Sequence, residues 1–163
     1  MPEAGRVGLG FDVHPQQVGR PLMLAGIRFD EDEGLAGHSD GDAVCHALAD
    51  AMLGAAALGD VGTHFPDTDP AMRGISGLDL LARTVGLVGE AEYSPRSCDV
   101  TVLCDQPAIA PRRDEMRRTL AEVLSLDLDR VSVKATRPEG LGLHGDGVGC
   151  MAVVVLDAVE GRS

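Results

Sequence analysis

The residues best suited to chemistry fall in two short segments, Asp12-Val13-His14 and His38-Ser39-Asp40-Gly41-Asp42-Ala43-Val44-Cys45-His46, which hold three of the five histidines. A carboxylate and two or three imidazoles can grip a zinc ion through three protein ligands and leave a fourth position open for substrate. Asp12 and His14 stand two apart at a strand end, so both side chains face the same way. His46, projecting from a helix, can supply the third ligand. Asp50, one turn further on, can orient an imidazole from behind the ligands. Taken alone, a pair such as Asp12 and His14 is more often an ordinary hydrogen-bonded pair than a metal site. The addition of His38 and His46 at helix-compatible spacing is what puts a metalloenzyme beside that reading.

Other site chemistries fit poorly. Ser39-Asp40-Gly41-Asp42 lacks the alternating ligand series and closing glutamate of a calcium loop. Gly8-Leu9-Gly10 has no third glycine at dinucleotide-binding spacing. Cys45, Cys98, Cys104 and Cys150 form no Cys-x-x-Cys pair, which argues against a zinc ribbon or a thioredoxin-type centre and for reduced thiols in a cytoplasmic protein.

The formal charge of -12 repels nucleic acid and anionic membranes. With no Trp, one Tyr and three Phe, base-stacking platforms are missing as well. A small phosphorylated substrate remains compatible, because metal ions and backbone amides can supply local positive charge. The first residues, Met1 to Arg6, lack the pattern of a signal peptide, and no run of eighteen apolar residues occurs. Neither a membrane nor a nucleic-acid partner is expected.

The elements that must position these groups follow from pattern. Arg6 to Val13 reads as a glycine-bearing strand, and Pro21 to Phe29 as a second strand paired with it in a hairpin. Asp42 opens an alanine- and leucine-rich helix with Ser39 or Asp40 as N-cap and Gly59 at its end, placing Asp42, His46 and Asp50 on one face. Residues 59–77 carry Gly, Pro, Asp and Thr without apolar period and read as a long functional loop. A helix over 78–88, a strand over 98–104, a turn at 107–111, a helix over 113–124 and strands over 131–136 and 150–156 complete the chain. Residues 1–163 are expected to form one domain with disorder-prone ends at 1–5 and 158–163, built as an α/β or α+β sandwich.

Five ordered motifs resemble those of 2-C-methyl-D-erythritol 2,4-cyclodiphosphate synthases. They are Gly10-Phe11-Asp12-Val13-His14, His38-Ser39-Asp40-Gly41-Asp42 with His46, Leu58-Gly59-Asp60-Val61-Gly62, Phe65-Pro66-Asp67-Thr68-Asp69-Pro70, and Lys134-Ala135-Thr136 followed by Glu139-Gly140-Leu141-Gly142. The resemblance runs from Val7 to about Leu156. It implies a ferredoxin-like type of mixed sheet packed against helices, and a homotrimer with active sites at the subunit interfaces. It also implies metal-dependent cyclisation of 4-diphosphocytidyl-2-C-methyl-D-erythritol 2-phosphate with loss of CMP, in non-mevalonate isoprenoid synthesis. Asp12, His14 and His46 would hold Zn2+ or Mn2+, and Glu139 a Mg2+ or Mn2+ ion on the diphosphate. His38, Ser39, Asp60, Gly62, Phe65, Asp67 and Asp69 would serve the methylerythritol phosphate pocket, with residues 65–69 in a mobile loop. Cys104, Pro107, Ala108, Ile109, Ala110, Ala135, Thr136 and Arg137 would line the nucleotide site, and Thr136 and His38 would have positioning roles.

The departures from the family pattern fall on the nucleotide side and at the trimer axis. Ala108 stands where a lysine is usual and Arg137 where a second threonine is usual. Asp146 and Val148 replace an arginine and a glutamate, which predicts loss of an axial diphosphate site or binding of something else there. His144 reads as a loop histidine. These substitutions motivate a second class of function, a divergent paralogue that keeps the trimer and the zinc but acts as a ligand-binding or regulatory module or on another nucleotide-linked substrate.

Overall fold

The computed structural model describes residues 5–29, 33–142 and 146–159. Its main sheet has five strands in the order β4-β1-β7-β5-β6: β1 (Arg6–Val18), β4 (Glu33–Leu35), β5 (Tyr93–Leu103), β6 (Val131–Thr136) and β7 (Gly147–Ala158). β1 pairs antiparallel with β4 and β7, β7 antiparallel with β5, and β5 parallel with β6. The expected mixed sheet packed against helices is therefore present. The parallel pair follows from the helical crossover between β5 and β6, which carries α4 (Arg113–Leu124).

The Pro21–Phe29 segment is not one strand paired with β1. It folds on itself as β2 (Leu22–Leu24) and β3 (Ile27–Phe29), a separate two-stranded sheet. The reason lies in the turn. Ala25 and Gly26 both adopt positive φ (54° and 73°), the geometry of a tight two-residue hairpin, and both backbone N–H groups donate to the Asp42 carboxylate at 2.9 and 2.7 Å. Asp42 is fully buried, and burial pushes its carboxyl above the ordinary value against the pull of these amides.

Asp42 is also the N-cap of α1 (Ala43–Ala55), accepting from Cys45 N at 3.1 Å. It displaces the expected caps Ser39 and Asp40. Asp40 instead accepts from Asp42 N and from Gly77 N at the start of α3 (Gly77–Glu90). The helix ends at Ala55, short of Gly59. Within residues 59–77 lie a short helix, α2 (Val61–His64), and a 3-10 turn at Pro70–Met72.

α1 is apolar on nearly every face because it lies between the sheet and α3, with Leu48, Met52 and Leu53 fully buried. Along β1 the inward residues are Gly8, Gly10, Asp12 and His14. A Cβ at Gly8 or Gly10 would lie 1.8 or 1.9 Å from the carbonyl oxygen of Ala51 or Ala47. Two glycines thus let a helix of small residues settle onto the strand, and the same strand face runs on into Asp12 and His14. The opposite face of β1 and β7 is apolar and uncovered, with Leu9 69% and Phe11 48% exposed.

Candidate metal centre and substrate pocket

Asp12 Oδ2, His14 Nε2 and His46 Nδ1 converge at the mouth of β1 and the first turn of α1. Separations are 2.7 Å between Asp12 and His14, 3.4 Å between Asp12 and His46, and 3.1 Å between the two imidazoles. Donors around a tetrahedral zinc at ordinary bond lengths stand about 3.3 Å apart. Among the described residues this is the one cluster with metal-ligand geometry.

The tautomers sharpen the case. His14 Nδ1–H donates to the Ala36 carbonyl at 2.6 Å, which leaves Nε2 a bare lone pair. His46 Nε2 lies 3.1 Å from Ser39 Oγ, which also accepts from Gly41 N. With its proton directed to Ser39, His46 presents a lone pair at Nδ1. Asp12 Oδ2 is buried and has no hydrogen-bond donor of good geometry, although His14 Nε2 is only 2.7 Å away. Three potential ligand atoms thus face one point, an arrangement suited to a cation. The donor set, one hard carboxylate and two imidazoles, fits Zn2+ or Mn2+.

The electrostatics agree. Burial alone would raise the Asp12 carboxyl, but the neighbouring imidazoles of His14 and His46, which favour its charged form, outweigh it and bring it to about 2. Burial alone would lower His14, but Asp12 and the Ala36 carbonyl outweigh it and leave it above its ordinary value.

A cavity of about 480 Å³ opens beside the cluster, walled by His14, His46, Ser39, Gly62, Phe65 and Asp67. His38 joins this wall and not the metal cluster, its Nε2 lying 3.8 Å from Asp67 across the cavity mouth. Asp60 and Asp69 act on backbone. Asp60 caps α2 by accepting from Thr63 N and Oγ1, and Asp69 caps the 3-10 turn by accepting from Ala71 N. Asp50 departs from its expected place behind an imidazole. One turn beyond His46, it accepts from Val61 N at 3.1 Å and so anchors the start of α2 to α1. The groups that orient the imidazoles are the Ala36 carbonyl and Ser39. The first is a backbone atom with no sequence signature, and the second was expected only as a pocket residue.

A second cavity, about 250 Å³, is lined by Cys104, Pro107–Ala110, Ala135, Thr136 and Arg137, together with Arg113. Every residue expected for the nucleotide site meets there. Glu139 sits in the exposed turn after β6 at φ 54°. Asp146 is exposed and Val148 lies in the core, while His144 is outside the described residues.

A mixed sheet backed by helices, with an Asp–His–His cluster able to hold a metal ion where β1 meets α1, defines an α+β protein with a candidate metal site. The chain belongs to the YgbB family, whose profile matches residues 5–157. It is 49% identical over 152 residues to the 2-C-methyl-D-erythritol 2,4-cyclodiphosphate synthase of Symbiobacterium thermophilum, covering 92% of this chain and 97% of that one. The Salinibacter ruber protein of the same name is 49% identical over 155 residues, covering 94% and 99%. A solved 2C-methyl-D-erythritol-2,4-cyclodiphosphate synthase in its CDP-bound form superposes with a TM-score of 0.86 at 38% identity, covering 93% and 100%. No helix among the described residues is long and apolar enough to cross a membrane.

Proposed function

We propose that this protein is a metal-dependent lyase that converts 4-diphosphocytidyl-2-C-methyl-D-erythritol 2-phosphate into 2-C-methyl-D-erythritol 2,4-cyclodiphosphate and CMP. The reading is carried by one observation: three potential metal-ligand atoms, both imidazoles bonded from behind, converge at the wall of a cavity large enough for a phosphorylated polyol. Membership of the YgbB family supports the particular reaction.

In this reaction the substrate's 2-phosphate oxygen attacks its own β-phosphorus, and the bond to the α-phosphate oxygen breaks to release CMP. The nucleophile is part of the substrate, so the protein contributes positioning and charge neutralisation. A zinc ion held by Asp12, His14 and His46 would supply Lewis-acid polarisation of a phosphoryl oxygen, and a Mg2+ or Mn2+ ion held by Glu139 would neutralise the diphosphate. The Ala36 carbonyl and Ser39 hold both imidazoles in register throughout. Phe65 and the loop around Asp67 shield one side of the cavity from water. Thr136 offers a hydroxyl, and Arg113 and Arg137 offer guanidinium groups, where the nucleotide phosphates would lie; Ala108 offers none.

The two cavities share no lining residue. A substrate that joins a methylerythritol phosphate to a cytidine diphosphate would engage both if neighbouring copies bring them together, which favours a homotrimer with interfacial sites. The uncovered apolar face of β1 and β7 supports such an assembly. Four buried free thiols suit a cytoplasmic location, and residues 1–163 act as one catalytic domain.

Phosphorus NMR of the substrate incubated with purified protein, Zn2+ and Mg2+ tests the reading. CMP and a cyclic diphosphate are expected. An unchanged spectrum from folded, zinc-loaded protein would overturn it and leave the ligand-binding paralogue.

A further inference from the structure

Arg20 lies just beyond β1, half-buried, and takes no part in the chemistry above. Its guanidinium Nη1 donates to the Gly37 carbonyl at 2.7 Å, and Nη2 donates to the Ser39 carbonyl. The carbonyl between them, that of His38, accepts from Gly74 N at 2.7 Å. Three successive carbonyls of a segment with no regular secondary structure are thus tied down, two of them by one side chain. That segment carries His38 and Ser39 into the cavity, and Ser39 Oγ meets His46 Nε2 at 3.1 Å. Among the described residues no carboxylate pairs with Arg20, and its side-chain hydrogen bonds there go to this loop.

We infer that Arg20 is a positioning residue: its forked guanidinium sets the Gly37–Ser39 backbone, and through it both the cavity wall and the Ser39 hydroxyl that orients His46. The inference rests on reading that cavity as the substrate site. A planar fork with donors at fixed separation can bridge two carbonyls, whereas an ammonium is a single point of charge. Charge alone therefore does not replace Arg20. Removal of the fork frees the two peptide planes flanking His38, which relaxes the wall, and allows Ser39 to drift from His46, which loosens the metal ligand.

The test compares Arg20→Lys, Arg20→Gln and Arg20→Ala with the wild-type full chain. Zinc affinity is measured by chelator competition, kcat and KM are measured separately, and thermal midpoints are recorded. Lys and Gln are both expected to weaken zinc about tenfold, the scale of lost support behind a metal ligand. Both are also expected to lower kcat/KM, with thermal midpoints little changed. Ethylguanidinium should restore activity to Arg20→Ala, and ethylammonium should not. A Lys variant within twofold of wild type in both zinc affinity and kcat/KM would overturn the proposal. So would losses that track unfolding and resist ethylguanidinium, since these would mark a purely structural bond. If the wild-type protein itself fails to turn over the substrate, the proposed reaction falls, while zinc competition still decides the role of Arg20.

Discussion

Gly10 and Ala47 meet so closely that a Cβ added to the glycine would stand 1.9 Å from the alanine carbonyl oxygen. This contact joins fold to site. Asp12 and His14 lie two and four residues along the same strand face, and His46 immediately precedes Ala47 on the helix. The separation of β1 from α1 therefore sets the distance between the carboxylate and imidazole of the strand and the imidazole of the helix. A gap wider by a methyl group would carry His46 out of reach of a shared ion.

Gly10→Ala should accordingly do more harm to the site than to the fold. Overpacking of this kind costs about 1–3 kcal/mol, which a domain of this size can survive. The displaced helix should nevertheless weaken zinc binding at least tenfold, on the order seen when ligand support is lost. Urea unfolding and zinc competition on the same preparation separate the two effects. Unchanged zinc affinity in a destabilised variant would show that the close approach serves packing alone.

The convergence of Asp12, His14 and His46 was legible because spacing encodes it. Residues two apart on a strand share a face, and a helical histidine needs only the right turn to join them. The mixed sheet was implied by the family resemblance, whereas the α+β layering was legible from the order of apolar segments and the helix over 113–124, whose observed bounds match. The Pro21–Phe29 hairpin was not, because Leu22 to Phe29 reads as one apolar run and the turn at Ala25-Gly26 depends on a carboxylate sixteen residues away. Asp50 misled for a related reason. Helical spacing placed it under His46 correctly, but it could not reveal that the nearest unsatisfied donor was the Val61 amide. The Ala36 carbonyl and the two carbonyls held by Arg20 are backbone atoms, and no residue type announces them.

Asp42 supplies a further prediction, since one carboxylate satisfies three buried or half-buried amides from Ala25, Gly26 and Cys45. Asp42→Ala should cost about 2–4 kcal/mol in urea unfolding, the sum of a lost N-cap and stranded donors. Asp42→Asn should fall between, because its carbonyl oxygen can still accept while its amino group opposes a donor. Equal stability of all three would mean that the hairpin turn and helix cap are held by packing.

The protonation of His14 gives the site a pH signature. Asp12 and the Ala36 carbonyl hold this imidazole above 6.5. A metal at Nε2 must displace its proton, so apparent zinc affinity should fall as pH drops through that raised value, beginning at a less acid pH than for an ordinary histidine. In metal-free protein the linkage has two arms. The raised His14 contributes stability that is full below 6.5 and is lost as pH rises through its folded value. The lowered Asp12 contributes stability present above 3.8 and lost as pH falls toward about 2. The metal-free protein should therefore gain most from the pair between about pH 4 and 6.5, and zinc should bind best above that window. Thermal midpoints across pH with and without zinc measure both arms. A zinc affinity flat from pH 5.5 to 8 would refute the ligand role of His14.

The uncovered face of the sheet sets the last prediction. Leu9 pairs across strands with Val153 and Phe11 with Met151, so the four form a contiguous apolar patch on β1 and β7, away from α1. On a chain of charge -12 such a patch would invite indiscriminate association unless a matching surface covers it. Next to it β5 and β6 present Asp99, Thr101, Ser132 and Lys134 in register, with Lys134 bonded to Asp99, so the face is apolar on one side and polar on the other. An asymmetric face of this kind suits a closed ring in which each copy meets its neighbours in the same way. Light scattering should return about three times the 17.0 kDa chain mass for the wild-type protein. Leu9→Asp, which places a charge at the middle of the patch, should shift it toward the single-chain mass. Because the cavity beside Asp12, His14 and His46 and the cavity lined by Cys104 to Ala110 and Ala135 to Arg137 share no residue within one chain, activity should fall with the assembly while zinc affinity is retained. Full activity from a single-chain species would refute the interfacial site.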